Sequence, residues 1–220
     1  MTPAVGAAPV PDPAIVALLQ DAASWRLLGR LFECPTAAWR QDVATLASEV
    51  ADAELVAAAA GAVAEADEGV YHSVFGPGGP APPREVSYHD TVELGSVMSA
   101  LTGAYGAFGY RPALVEAPDH VAVEAGFMAY LRVKQALALL EGDGTHVEIT
   151  ASALEAFRAD HLAVYAERLA AILAEAPLEY LQGASRVLAR RVGPRPGPKR
   201  LPVIQPPDDE DDGGEFDCEA

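Results

Sequence analysis

Two acid–histidine pairs and one further acid are the side chains in this sequence best suited to chemistry. Asp119 and His120 are adjacent, Glu124 follows about one helical turn later, and Asp160 and His161 form a second pair further along the chain. Carboxylates and imidazoles transfer protons and bind metal ions, so these residues predict a metal site if two helices bring them together. For the first pair, a local arrangement in which His120 donates a hydrogen bond to an acid at a helix start is the open alternative.

The sequence lacks the complete signature of a familiar catalytic site. A di-iron carboxylate bundle requires Glu-x-x-His on two helices, and neither segment contains it. There is no phosphate-binding Gly-x-x-x-x-Gly-Lys loop, no Gly-x-Ser-x-Gly elbow and no Cys-x-x-Cys. We therefore expect no catalytic residue, no metal and no cofactor. A small helical metalloprotein enzyme that uses the five residues above is kept as the alternative function.

A helix that begins at Pro118 is expected to position the first pair and Glu124. Proline suits the first helical turn because its missing N–H would have no partner there, and acids in that turn complement the helix dipole. The pattern continues to about Leu140. Because His120 and Glu124 would lie on one face, the sequence predicts a polar cluster at the mouth of an apolar helix.

Helices are predicted along most of the remaining chain because apolar residues recur at three- and four-residue spacing. Asp12 opens the first helix, Thr36 caps the second, and Asp90-x-x-Glu93 has the form of a capping box. Residues 76–83, which read GPGGPAPP, form the main loop because proline and glycine oppose helix there. The predicted helices span residues 13–34, 36–50, 52–74, 90–109, 118–140, 147–175 and 177–192. Residues expected to face the core include Leu19, Trp25, Trp39 and Leu94.

Length and composition predict a single domain. Half of the 220 residues are hydrophobic and β-branched runs are few, so we expect one all-α domain of about seven or eight helices over residues 12–192. Residues 1–11 are expected to form a flexible N-terminus, 193–207 a proline-rich linker and 208–220 a disordered acidic tail.

The charge balance restricts the ligands that the chain can bind. The formal net charge is −17, and eight of the acids lie at 208–220. This charge opposes binding to nucleic acid or to an anionic membrane and favours a cationic ligand. No segment has the length and hydropathy of a membrane span or of a signal peptide, so we expect a cytoplasmic protein. Cys34 and Cys218 lie in unlike contexts and predict reduced thiols, with no disulfide or metal framework.

Three motifs carry a family resemblance. Glu116-x-Pro118-Asp119-His120, followed by Glu124 and Phe127-Met128, resembles the signature of the TorD/DmsD/NarJ family, and most closely its TorD/DmsD branch. Tyr71-x-x-Val74-Phe75-Gly76-Pro77, with Pro82-Pro83-x-Glu85-x-x-Tyr88, resembles the aromatic and proline-rich loop of that family. Phe157-x-x-Asp160-His161-Leu162 resembles its later helix. The motifs occur in the expected order, and the resemblance spans about residues 25–188. Ala125-Gly126 departs from the pattern, since a bulkier pair is expected there.

The resemblance implies a dedicated chaperone, not an enzyme. Members of this family are cytoplasmic chaperones of molybdenum-cofactor oxidoreductases, so the implied partner is the catalytic subunit of such an enzyme, bound through its apo-form or twin-arginine leader. The chaperone would assist cofactor insertion and assembly before export, as a monomer or dimer. An arginine pair next to an apolar stretch requires an apolar groove with acids at its rim. The predicted groove residues are Tyr71, Val74, Phe75, Gly76, Pro77, Pro82, Pro83, Tyr88, Pro118, His120 and Phe127, with Glu85, Glu116, Asp119 and Glu124 as the acids. A packed loop that covers a helix end is the alternative for the prolines and aromatics.

Overall fold

The computed structural model describes residues 12–90, 94–113 and 116–195, and helices dominate them. The α-helices are α1 Pro13–Leu31, α2 Trp39–Ala47, α3 Ala53–Glu65, α4 Glu68–Phe75, α5 Leu94–Phe108, α6 Val121–Leu140, α7 Gly144–Phe157, α8 Ala163–Leu173 and α9 Glu179–Val192. A 3₁₀ turn spans Glu85–Tyr88, and a π-helical turn at Arg158–Leu162 joins α7 to α8 in one continuous helix. The described residues thus form eight helices and no strand, which confirms the all-α prediction.

Aspartate side chains cap the starts of four of these helices. Asp12, Asp52, Asp67 and Asp143 each accept a hydrogen bond from a backbone N–H in the first turn of α1, α3, α4 and α7, respectively. This arrangement satisfies N–H groups that have no partner within the helix. Asp12 confirms the predicted start of α1. Asp67 explains why the helix predicted over 52–74 is wrong: the chain leaves the helix after Glu65 so that this aspartate can cap α4.

The core is built around α6. This helix packs against α1 and α7, while α9 packs against α3 and α8. Trp25 and Trp39 are 3% and 0% exposed and are core residues, as predicted. The continuous helix formed by α7 and α8 buries a row of apolar side chains: Leu154, Phe157, Leu162, Tyr165, Leu169 and Leu173. Leu19 and Leu94 were predicted to face inward and are instead about half exposed, because each lies on the outer side of its helix.

Small residues allow α1 and α6 to cross closely. A Cβ on Gly29 would lie 3.0 Å from the carbonyl oxygen of Ala122 and 3.3 Å from the Cβ of Ala125. A Cβ on Gly126 would lie 2.6 Å from the hydroxyl of Tyr110. The packing therefore accommodates the small pair that departs from the family pattern: a bulkier side chain at Ala125 would push α1 and α6 apart, and one at Gly126 would displace Tyr110.

Ion pairs fasten the last helix to earlier ones. Arg190 pairs with Asp52 at 2.6 Å, Arg186 pairs with Glu54 at 3.1 Å, and the Arg191 guanidinium lies 4.8 Å from the centre of the Trp25 ring. The arginines of α9 thus make contacts with earlier parts of the chain. The helix closes at Val192 as predicted, followed by Gly193 with φ 73°.

Smaller corrections concern helix boundaries. The second helix starts at Trp39 without a side-chain cap, and Thr36 contributes only its carbonyl oxygen, which accepts a hydrogen bond from Trp39 N at 3.1 Å. The fifth helix runs through its inner glycines and ends at Phe108, before Gly109 with φ 69°. The predictions for 1–11, for Glu93, for the linker beyond 195 with its basic residues, and for the acidic tail with Cys218 lie outside the described residues. None of the described helices is long and apolar enough to span a membrane.

Candidate functional site

The glycine- and proline-rich loop is fastened to the C-terminal end of α4. Gly76 N donates to the carbonyl of His72 at 2.9 Å, and Ala81 N donates to the carbonyl of Val74 at 3.2 Å. A Cβ on Gly79 would lie 2.3 Å from the Val74 oxygen, so only glycine fits where the loop returns to the helix. The loop is therefore held in one conformation against α4, and it presents its prolines on a fixed backbone.

A short antiparallel pairing fixes the end of the loop to the segment before α6. Val121 N donates to the Pro83 carbonyl at 2.9 Å, and Glu85 N donates to the Asp119 carbonyl at 2.8 Å. The fully buried Asp119 carboxylate accepts hydrogen bonds from Arg84 Nε at 2.8 Å and from the backbone N–H at position 86 at 3.4 Å. Asp119 thus ties the loop to α6 through both its backbone and its side chain.

A cleft of about 450 Å³ lies between α4, the loop and the segment that precedes α6. Eight of the predicted groove residues line it: Tyr71, Phe75, Gly76, Pro77, Pro82, Pro83, Glu116 and His120. Six lining residues were not predicted: His72, Gly78, Gly79, Arg84, Ser87 and Ala117. Arg84 and Ser87 fall at the x positions of the loop motif, so the motif does not single them out. The only signal for them in the sequence is indirect: in an extended loop, alternate side chains point to the same side.

Aromatic rings form the floor of the cleft. The Tyr71 and Phe75 ring centres are 4.9 Å apart, and the Tyr71 hydroxyl donates to the carbonyl of Phe32 at 2.9 Å. Burial raises the pKa of Tyr71, so its hydroxyl remains protonated and keeps this hydrogen bond at neutral pH. Pro77, Pro82 and Pro83 of the loop line the same cleft. The cleft therefore has apolar walls and a floor that is part of the core.

The charges around the cleft are unequal. Glu116 is exposed, and no ion-pair partner for it is found among the described residues. The Arg84 side chain, 39% exposed, is paired with Asp119. Burial and the nearby Arg84 charge lower the pKa of His120 to about 4, so the imidazole is neutral at pH 7, and its Nδ1 accepts from Ala122 N at 3.1 Å. Glu116 is thus the carboxylate of the lining that is available to a cation.

The helix start at His120 corrects the prediction that Pro118 begins this helix. The observed α6 begins at Val121, and the imidazole of His120 caps it. Pro118 lies outside the helix, half-buried, and its carbonyl accepts a hydrogen bond from the Tyr105 hydroxyl at 2.8 Å. The alternative arrangement, in which His120 donates to an acid, is not found among the described residues, where its Nδ1 accepts from Ala122 N.

Several predicted groove residues are buried instead of lining the cleft. Val74, Tyr88 and Phe127 are buried in the core. The Tyr88 hydroxyl donates to the Pro82 carbonyl at 2.8 Å, and Arg168 donates to the Tyr88 carbonyl at 2.7 Å, so Tyr88 supports the loop from the core side. Phe127 lies elsewhere and lines a separate pocket of about 210 Å³ together with Phe157 and His161.

Two of the predicted rim acids belong to a buried polar network. The Glu85 carboxylate lies 2.8 Å from His89 Nε2 and 2.9 Å from His161 Nδ1. Glu124 is fully buried, and the Tyr165 hydroxyl donates to one of its oxygens at 3.1 Å. Burial and the neighbouring Glu85 charge raise the pKa of Glu124 well above its usual value, which favours the protonated form of this side chain. In this conformation neither acid can meet a ligand at the rim.

The five residues of the alternative metal site do not converge. Asp119 is paired with Arg84, His120 caps α6, and Glu124 contacts Tyr165. His161 contacts Glu85, and Asp160 points to solvent from the π-helical turn. Among the described residues, no three of these five side chains bring their ligand atoms close enough together to hold an ion, so the geometry gives no support to the metalloprotein alternative.

Comparison with known proteins agrees with the motifs. The family model described as the nitrate reductase delta subunit matches residues 34–171, which is more than half of the chain and includes the cleft. No curated protein matches the chain. The chain therefore belongs to the nitrate reductase delta subunit family, a family of chaperones for the maturation of molybdoenzymes.

Proposed function

We propose that this protein is a dedicated chaperone that binds the twin-arginine leader of its molybdoenzyme client in the cleft between α4 and the start of α6. The observation that carries this proposal is the combination of rigid apolar walls with an exposed Glu116 that has no ion-pair partner within the described part of the chain. An apolar stretch of the leader lies on Pro77, Pro82 and Pro83, and a leader arginine pairs with Glu116.

Within this proposal, Asp119 and His120 act on the leader mainly by positioning other groups. Asp119 holds Arg84 and the loop, so the width of the cleft depends on it. His120 lines the cleft as a neutral ring, which suits an apolar part of the leader. Because the Asp119 carboxylate is already paired with Arg84, a leader arginine binds more favourably beside Glu116 than beside Asp119.

The client is the catalytic subunit of a molybdenum-cofactor oxidoreductase. In our proposal the chaperone binds it in the cytoplasm, through the leader, until the cofactor is inserted. The loop and the Asp119-His120 motif support assignment to the TorD/DmsD branch of the family. Binding through one cleft favours one leader per chaperone chain, whether the chaperone is a monomer or a dimer.

The test is a comparison of two charge-neutralising variants. Glu116→Gln removes the proposed arginine partner, whereas Glu148→Gln removes an exposed acid of α7 that does not line the cleft. We expect Glu116→Gln to raise the Kd of a twin-arginine leader peptide by about tenfold, and Glu148→Gln to leave it unchanged. Fluorescence anisotropy of a labelled peptide measures both values.

A second peptide completes a double-mutant cycle between Glu116 and the leader arginines. A leader whose two arginines are replaced by glutamine should bind wild type and Glu116→Gln equally, because the interaction removed by one change is absent in the other. Equal affinities of the two variants for the arginine leader would instead show that the arginines bind elsewhere.

A further inference from the structure

Three side chains of different ligand types converge beside the cleft. Cys34 lies in the turn after α1, and Glu68 and His72 lie one turn apart on α4. Cys34 Sγ is 3.7 Å from His72 Nε2, and a Glu68 oxygen is 3.8 Å from the same nitrogen. The three ligand atoms all lie within 4.8 Å of one another. We propose that Cys34, Glu68 and His72 bind a divalent transition-metal ion of the zinc type.

Two of the three spacings between these atoms are close to those around a tetrahedral ion. With Zn–S of about 2.3 Å and Zn–N and Zn–O of about 2.0 to 2.1 Å, tetrahedral geometry separates sulfur from nitrogen by about 3.6 Å and nitrogen from oxygen by about 3.4 Å. The observed separations of 3.7 and 3.8 Å exceed these values by only a few tenths of an ångström. Small side-chain rotations of Glu68 and His72, which are exposed, close that difference.

The same geometry opposes a catalytic reading of the Cys34–His72 pair. In a nucleophile–base–acid relay the acid contacts the imidazole nitrogen that does not face the thiol. Here both the sulfur and the carboxylate approach Nε2. Burial and the negative charges of Glu68 and Glu116 raise the pKa of the Cys34 thiol, which disfavours a free thiolate. A thiol, an imidazole and a carboxylate that converge on one point are arranged as ligands are around a cation.

The ligand types select the ion. A thiolate with an imidazole favours zinc and related transition metals over magnesium and calcium, which prefer oxygen ligands. Metal binding displaces the thiol proton, and the same acids that oppose a bare thiolate attract a divalent cation. Three protein ligands leave a fourth position for water or for an outside ligand. Because His72 also lines the cleft, the ion lies at its edge.

Cobalt titration of the reduced, metal-free, full-length protein tests the site without any leader peptide, so its outcome is independent of the proposed function. Cobalt(II) bound to a thiolate gives a near-ultraviolet charge-transfer band, and tetrahedral coordination gives strong visible bands. We expect saturation at about one equivalent, displacement by zinc, and release of a proton. Cys34→Ser should abolish the charge-transfer band, and His72→Gln and Glu68→Gln should each weaken cobalt binding by about tenfold or more.

The chain offers matched controls. Cys218→Ser removes the other cysteine, and His146→Gln removes an exposed histidine that contacts Asp143 on α7. Both variants should bind cobalt as wild type does. A charge-transfer band that survives Cys34→Ser and disappears in Cys218→Ser would overturn the proposal. Binding that requires millimolar cobalt, or no thiolate band at all, would overturn it as well. Thermal melts of the Cys34 and His72 variants verify that each is folded, as expected for side chains outside the fully buried core.

Discussion

Asp119 and His120 are neighbours in the chain but have different surroundings. The Asp119 carboxylate compensates the charge of Arg84 and accepts a backbone N–H of the loop. The His120 imidazole is buried without an acidic partner and caps α6 as a neutral ring. In the sequence motif the two residues form one unit, but their chemistry differs. The Asp119 side chain provides a negative charge, whereas the His120 side chain is a neutral ring.

The buried imidazole makes the stability of the protein depend on pH. The pKa of His120 is about 4 in the folded protein and about 6.5 in the unfolded chain, so the unfolded state binds the proton first as pH falls. The stabilising effect of a neutral His120 is complete above pH 6.5 and is lost between pH 6.5 and 4. This loss amounts to about 3 kcal/mol.

His120→Asn isolates this effect because asparagine caps a helix but does not titrate. At pH 7 we expect the variant to be less stable than wild type by about 1 to 2 kcal/mol through lost packing. The difference should shrink, and then reverse, as pH is lowered to 4. Urea denaturation at several pH values measures it. Parallel stability curves for the two proteins would mean that His120 titrates normally.

Glu124 has the opposite pH dependence. Its pKa is raised by burial and by Glu85, so the folded state keeps a proton that the unfolded chain releases above about pH 4.5. The stability contributed by protonated Glu124 is therefore present below that pH and declines as pH rises towards the folded-state pKa. Glu124→Gln, which imitates the protonated acid, should gain stability relative to wild type as pH rises from 5 to 8.

The same variant separates two roles for Glu124. If the residue is a buried hydrogen-bonding partner of Tyr165, Glu124→Gln leaves leader affinity unchanged while the pH dependence of stability changes. A rim acid that pairs with a leader arginine would give the reverse result, a weaker leader complex with parallel pH curves. Urea denaturation and peptide binding on one preparation therefore decide between the roles.

At the level of elements, the α1–α6 crossing is the contact most sensitive to side-chain size. Gly29→Ala places a methyl group 3.0 Å from the carbonyl oxygen of Ala122, and backbone there cannot move aside cheaply. We expect a loss of about 1 to 3 kcal/mol in the free energy of unfolding. Gly103→Ala is the matched control, because a Cβ there meets nothing within 4 Å.

The control should stabilise the protein by about 0.5 to 1 kcal/mol, since alanine loses less backbone freedom than glycine in a helix interior. Denaturant midpoints of both variants provide the comparison. If Gly29→Ala were neutral, α1 and α6 would be able to separate, and the small residues of the crossing would need another explanation.

Helix positions were predictable because caps and apolar spacing are local signals. Asp12 fixes the start of α1, and the glycines after Leu140 fix the end of α6. The break before Asp67 was missed because alanine-rich sequence continues across it, and only packing decides between one helix and two. About half of the side chains that line the cleft could be predicted, because the motifs that contain them are local in sequence. The burial of Glu85 and Glu124 could not be predicted, because it depends on helices far away in sequence.

For the whole molecule, charge and burial act at different ranges. The chain carries 32 acids against 15 lysines and arginines, so its field attracts an arginine-containing leader from any direction. This long-range attraction by many acids speeds the association of the leader, but it does not determine where on the protein the leader binds. The place where the leader binds is determined by the cleft, in which the Glu116 carboxylate and the apolar walls act at contact distance.

This division predicts how leader binding responds to salt. Ions screen attraction beyond about 10 Å at 0.1 M salt, whereas apolar contact with the prolines and with Phe75 is not screened. We expect the Kd of the leader to rise about three- to tenfold between about 0.05 and 0.5 M sodium chloride and then to level off. Glu116→Gln should show a smaller rise, because the carboxylate in direct contact with the arginine is already gone. Titration calorimetry at four salt concentrations, on wild type and on both the Glu116→Gln and Glu148→Gln proteins, makes the measurement. A Kd that does not change with salt would remove the electrostatic half of the proposed recognition and leave the apolar cleft alone.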